Sequence, residues 1–103
     1  MKSIDDITEA IDACLDAHAN AIHERVKTEM AYNKVFDQAL GETFETTAAG
    51  RKLYADTAAR ETQGIFEAAK GEEKIQDKRL NALLALLSAS QTQARIEHDT
   101  LLR

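Results

Sequence analysis

Apolar residues recur at helical spacing along this chain from its first turn almost to its end. Ile4, Ile7, Ile11, Leu15, His18, Ile22, Val26 and Met30 follow one another at a mean step of about 3.7 residues, close to the turn of a straight α-helix. Asp12, Asp16, Asn20, Lys27 and Lys34 occupy the opposite face. The pattern predicts an amphipathic helix over about residues 3–40. Ser3 is placed to cap its first turn, and Asp6 complements the positive end of the helix dipole. Gly41 is placed to stop it in the left-handed conformation.

Residues 41–47, G-E-T-F-E-T-T, carry three threonines and no helical period, and are expected to form a connector. Thr46 or Thr47 offers an N-cap for a short helix over about 48–56, and Asp56 or Thr57 offers a further cap. The pattern leaves open whether 48–56 is a separate helix or the start of the last one. That last helix is expected over about 57–102. Its first half is weakly apolar, with Ile65, Phe66, Ala68, Ala69 and Ile75 among Glu61, Glu67, Glu72, Glu73 and Lys74. Gly64 and Gly71 each cost about 1 kcal/mol relative to alanine. They share a face with Ala68 and Ile75, and are either a smooth strip for another backbone or two tolerated surface glycines.

The strongest apolar stretch is L-N-A-L-L-A-L-L-S-A, Leu80 to Ala89. On a helix Leu80, Leu83, Leu84 and Leu87 lie along one stripe, and Ala82, Leu86 and Ala89 along a second. Two long helices joined by a short connector make an antiparallel hairpin, with the first stripe against Phe66, Ile75, Leu80, Leu83 and Leu87. A hairpin has one seam and cannot cover both stripes. Burial of each leucine contributes roughly 1.5–3 kcal/mol, which favours covering the second stripe by self-association. The expectation is therefore an all-α protein forming one helical domain over residues 1–103. It assembles into a helical bundle or coiled coil, with Leu80, Leu83, Leu84, Leu86 and Leu87 as core and oligomer interface.

Composition supports the helical reading. The chain has 103 residues, no proline, four glycines and no tryptophan, and residues of high helix propensity dominate it. The formal charge of −5, from 18 acidic against 13 basic residues, argues against non-specific binding of duplex DNA by the whole surface. Cys14 is the only cysteine, which excludes an internal disulfide and a multi-cysteine zinc site. It reads as a small buried hydrophobe. M-K-S-I-D-D holds no apolar signal core, and the leucine block falls short of the roughly 20 apolar residues that span a bilayer. A cytoplasmic protein with no membrane partner is the expectation.

Catalytic constellations are not found. A di-iron bundle site needs Glu-x-x-His pairs, but Leu15, Asn20 and Arg95 stand three residues before His18, His23 and His98. His18 and His23 are five apart, a poor spacing for sharing a metal, and His18 reads as a core or interface histidine with a local partner. No glycine-rich loop precedes a Lys-Ser or Lys-Thr pair. The expectation is a protein that is not an enzyme, with no cofactor, no metal and no small-molecule substrate. One basic and aromatic constellation fits single-stranded nucleic acid: Arg51, Lys52 and Tyr54 after the connector, then Lys70, Lys74 and Lys78 at steps of four. Glu67, Glu73 and Asp77 interleave with those lysines and suit helix ion pairs equally well.

Tyr32 and Lys34, then Thr47 with Arg51 and Lys52, then Arg79, Leu80, Ala82, Leu83, Leu87, Ser88, Ala89, Gln91 and Thr92 form a further pattern over roughly residues 27–95. It resembles a group of small helical proteins encoded by tailed bacteriophages near single-strand annealing and recombination genes. Those share a Tyr-x-Lys element, an acidic or Thr-containing connector with an Arg/Lys pair, and an end of the form R-L-x-A-L-x-x-x-L-S-A-x-Q-T. Gly64, Gly71 and the longer first helix depart from that group. The resemblance implies a non-enzymatic accessory in DNA recombination or replication that binds a protein partner or single-stranded DNA. The alternative is a helical adaptor, chaperone or inhibitor that binds a specific protein through an apolar helix face.

Overall fold

A computed structural model describes residues 3–102, and among them every element is helical: α1 (Ile4–Glu42), α2 (Ala48–Ala58) and α3 (Arg60–Leu101). Two of the N-caps form where the sequence places them. The Ser3 hydroxyl accepts from the Asp6 N–H at 3.1 Å and opens α1. Thr47, in extended conformation, accepts from the Gly50 N–H at 3.0 Å and opens α2 as a separate helix.

Two boundaries differ from expectation. Gly41 lies inside α1 with no left-handed glycine in the described chain, so the helix runs one residue beyond it. Arg51 supplies the stop instead. Its guanidinium donates to the Leu40 carbonyl at 2.8 Å, satisfying one of the carbonyls that a helix end leaves without an intrahelical partner. Asp56 and Thr57 cap nothing; both lie inside α2, where the Thr57 hydroxyl donates to the Leu53 carbonyl. A single residue, Ala59, separates α2 from α3, and backbone hydrogen bonds continue on either side of it.

The chain forms two compact units. The first combines the start of α1, as far as Asn20, with α3 from Lys74 onward. Ile7, Ile11, Cys14 and His18 face inward from α1, and Gln76, Leu80, Leu83, Leu87 and Ser90 from α3. The second unit is Ala21–Glu73. There Ala21, Arg25, Thr28, Tyr32, Val35 and Ala39 of α1 are buried or half-buried, as are Thr62, Phe66, Ala69 and Glu73 of α3. Arg25 meets Glu73 and Tyr32 meets Phe66, so a step up α1 matches an equal step down α3 and the two run antiparallel. Ala55 of α2 and Ala59 are wholly buried in the same unit.

Every one of these lines advances alternately by three and four residues, the heptad step by which one helix keeps a single face toward another. This corrects the sequence reading, which follows the large aliphatic residues at the step of a straight helix. The two lines agree at Ile7, Ile11 and His18 and part elsewhere. The inward positions are Cys14, Ala21, Arg25 and Thr28, while Leu15, Val26 and Met30 are exposed. On α3, Phe66, Leu80, Leu83 and Leu87 lie in the seam as expected, but Ile75 is 56% exposed and Gln76 takes the inward place.

Candidate interaction surface

The leucine block of α3 divides between seam and surface. Leu80, Leu83 and Leu87 are half-buried within the first unit. Leu84 and Leu86 are 46% and 43% exposed. Leu84 therefore does not share the line of Leu80, Leu83 and Leu87. It follows Leu83 by one residue, about 100° around the helix, whereas Leu86 precedes Leu87 by one and lies on the opposite flank. The Leu86 flank continues the same relation: Ile75, Arg79, Ala82, Leu86 and Ala89 each immediately precede a seam residue, and all five are exposed. The second stripe read from the sequence is thus at the surface, uncovered by the chain itself.

On α1 the matching flank is built of alanines. Ala10, Ala13 and Ala17 precede the seam positions Ile11, Cys14 and His18. Together with Cys14, Arg79 and Leu83 they line an open groove of about 320 Å³. Cys14 is 4% exposed and its thiol sits 3.8 Å from the Gln76 carbonyl, a weak donor contact that fits a small buried hydrophobe. His18 finds its local partner across the seam, with Nε2 3.7 Å from the Asp77 carboxylate. Among the described residues no group of three or more His, Cys, Asp or Glu side chains is arranged to hold a metal ion. No described helix is long and apolar enough to cross a membrane.

The six residues expected to contact nucleic acid belong to both units. Lys74 and Lys78 are in the first; Arg51, Lys52, Tyr54 and Lys70 are in the second. Two of them have structural tasks. Arg51 holds the end of α1, as above. Lys70 is ion-paired with Glu67 at 3.1 Å and lies over the Phe66 ring at 4.8 Å, which ties it to the aromatic cluster of Tyr32, Phe36 and Phe66. Lys52 and Tyr54 are exposed on α2, where Tyr54 lines a shallow groove with Leu53, Thr57, Gly50 and Glu45. Lys74 and Lys78 are exposed on α3.

Surface positions that the sequence reading placed inside or passed over are Leu15, Val26, Met30, Ile75, Phe44 and Leu53. A heptad reading would have found the first four, since each stands one or two residues off the three-four line of inward positions. For the complete exposure of Phe44, in the connector, the helical pattern holds no signal. Compared with known proteins, the chain matches no family model, no curated protein and no solved structure.

Proposed function

We propose that this protein is a non-enzymatic helical assembly module, which joins copies of itself and a protein partner through the apolar flanks of its helices. The observation that supports this is the exposure of Leu84 and Leu86 together with Leu15, Ile75 and Ile96, large side chains that one pair of helices leaves open to water. Its setting in this proposal is the cytoplasm of a phage-infected cell or a lysogen, as an accessory to DNA recombination or replication. That part rests on the resemblance over residues 27–95. Chromatography with light scattering tests the assembly. The wild-type chain is expected as a helical oligomer, and Leu86→Asp or Leu84→Asp as a smaller species of unchanged helicity. A wild-type monomer at every accessible concentration overturns the reading.

A second reading, contact with single-stranded DNA, is favoured by Lys74 and Lys78, which are exposed and make no ion pair within the described chain. It expects salt-sensitive binding of an oligo(dT) probe, lost in Lys74→Glu with Lys78→Glu. No binding at low salt removes it.

A further inference from the structure

We infer that the grooved flank of the first unit is a self-complementary docking surface for a second copy of the same unit, packed so that α1 of one copy lies against α3 of the other. The inference rests on the assembly reading above and specifies its surface and arrangement. Leu86 is exposed on the same α3 flank as Arg79, which lines a groove whose α1 wall is Ala10, Ala13 and Ala17, so each copy carries on one flank both an exposed leucine and a recess of small side chains. In a two-fold interface each is used twice, leucine to recess and recess to leucine.

Charge decides the arrangement. From Ile4 to Asn20, α1 carries Asp5, Asp6, Glu9, Asp12 and Asp16 and no lysine or arginine. Glu9 and Asp16 are exposed and stand four residues before and three after Ala13, one helical turn to either side of that wall residue. On α3, Lys78 and Arg79 stand four and three residues before Ala82. Packing α1 on α1 would oppose carboxylates with carboxylates and cations with cations; packing α1 on α3 brings the two signs together at both ends of the two-fold. The other flank, at Leu15 and Leu84, has Asp12 on α1 but both Lys74 and Asp77 on α3, with Asp77 beside His18, so its charges are mixed rather than matched. The occupant that fits the grooved flank is therefore another copy of this chain.

Charge reversal on the full chain tests the arrangement separately from the assembly. Asp16 and Arg79 are exposed and make no ion pair within the described residues, so Asp16→Lys and Arg79→Glu are expected to retain helicity by circular dichroism. Asp16→Asn and Arg79→Gln replace them should either lose it. Each reversal is expected to weaken association by about tenfold or more at low salt, with the loss shrinking as salt rises. Both reversals in one chain are expected to restore most of it. If Leu86→Asp dissociates the oligomer while neither reversal affects it, the α1-on-α3 arrangement is overturned. An oligomer indifferent to all three changes places the interface elsewhere and overturns this inference, while the assembly reading survives. A monomeric wild type overturns both.

Discussion

In the first unit Ile7, Ile11 and Cys14 of α1 and Leu80, Leu83 and Leu87 of α3 make most of the seam apolar, with His18, Gln76 and Ser90 as its polar members. In the second, Ala21, Arg25, Thr28 and Tyr32 face inward from α1, and Phe66, Ala69 and Glu73 from α3. The same heptad step is thus filled in two ways. One relies on apolar area, which is non-directional and tolerates exchange between side chains of similar volume. The other relies on contacts with fixed geometry. The Arg25 guanidinium donates to Glu73 across the seam and to Glu29 one turn along, and Tyr32 stacks on Phe66 with ring centroids 6.0 Å apart. All four glycines also fall in the second unit, and none in the first. Volume should therefore govern stability in the first unit, and pairing and backbone entropy in the second.

The largest expected effect is on the aliphatic side. Ile7 is fully buried, and Ile7→Ala should cost about 2–3 kcal/mol, the low end for a buried isoleucine because only one helix packs over it. Urea unfolding followed by circular dichroism measures this, and Leu15→Ala on the exposed flank is the control, expected to cost less than about 1 kcal/mol. Equal losses at the two sites would remove the heptad line as the basis of the comparison. Next comes the aromatic pair. A double-mutant cycle on Tyr32→Ala and Phe66→Ala should return a coupling of about 0.5–1.5 kcal/mol, and additivity would mean the stack contributes nothing beyond its area.

The ion pair sharpens the contrast. Glu73→Ala leaves a half-buried arginine with Glu29 alone and should cost about 1–2 kcal/mol. Replacing both partners, Arg25→Met with Glu73→Leu, should be neutral or stabilising, since apolar side chains of similar volume escape the cost of desolvating two charges. A double replacement as damaging as the single one would show that the pair is needed for more than filling the seam.

The sequence announces the helices through local chemistry, and the seam only weakly. Ser3 and Thr47 are legible as caps because a hydroxyl and a free N–H three residues away meet within one turn. The all-α class follows from residues whose preference needs no partner. Which residues face inward depends on another helix, and here the inward line of α1 runs through Ala21, Arg25 and Thr28 beside the more conspicuous Ile22, Val26 and Met30. Arg51 was likewise legible as a cation but not as the stop for α1, because Leu40 lies eleven residues away and across the connector. For the candidate surface, the second stripe of Ala82, Leu86 and Ala89 was readable from spacing alone. The alanine wall of Ala10, Ala13 and Ala17 was not, since it gains meaning only beside Arg79 and Leu83.

The smallest expected effect concerns the glycines. A Cβ added at Gly64 or Gly71 meets nothing within 4 Å, and both lie inside α3, so Gly64→Ala and Gly71→Ala should each stabilise the second unit by roughly 0.5–1 kcal/mol through reduced backbone entropy in the unfolded chain. Gly50→Ala should not gain in the same way. A Cβ there would stand 2.9 Å from the Thr47 hydroxyl oxygen and 3.0 Å from a Glu45 carboxylate oxygen, crowding the cap that opens α2. Hydrogen exchange resolved along the chain checks both statements, with slower exchange expected in the Ala21–Glu73 amides for the first two variants and not for the third. If Gly64→Ala or Gly71→Ala instead raises helicity but weakens self-association, the glycine face is in contact with another backbone in the assembly, and the softness of the second unit is an adaptation to that contact.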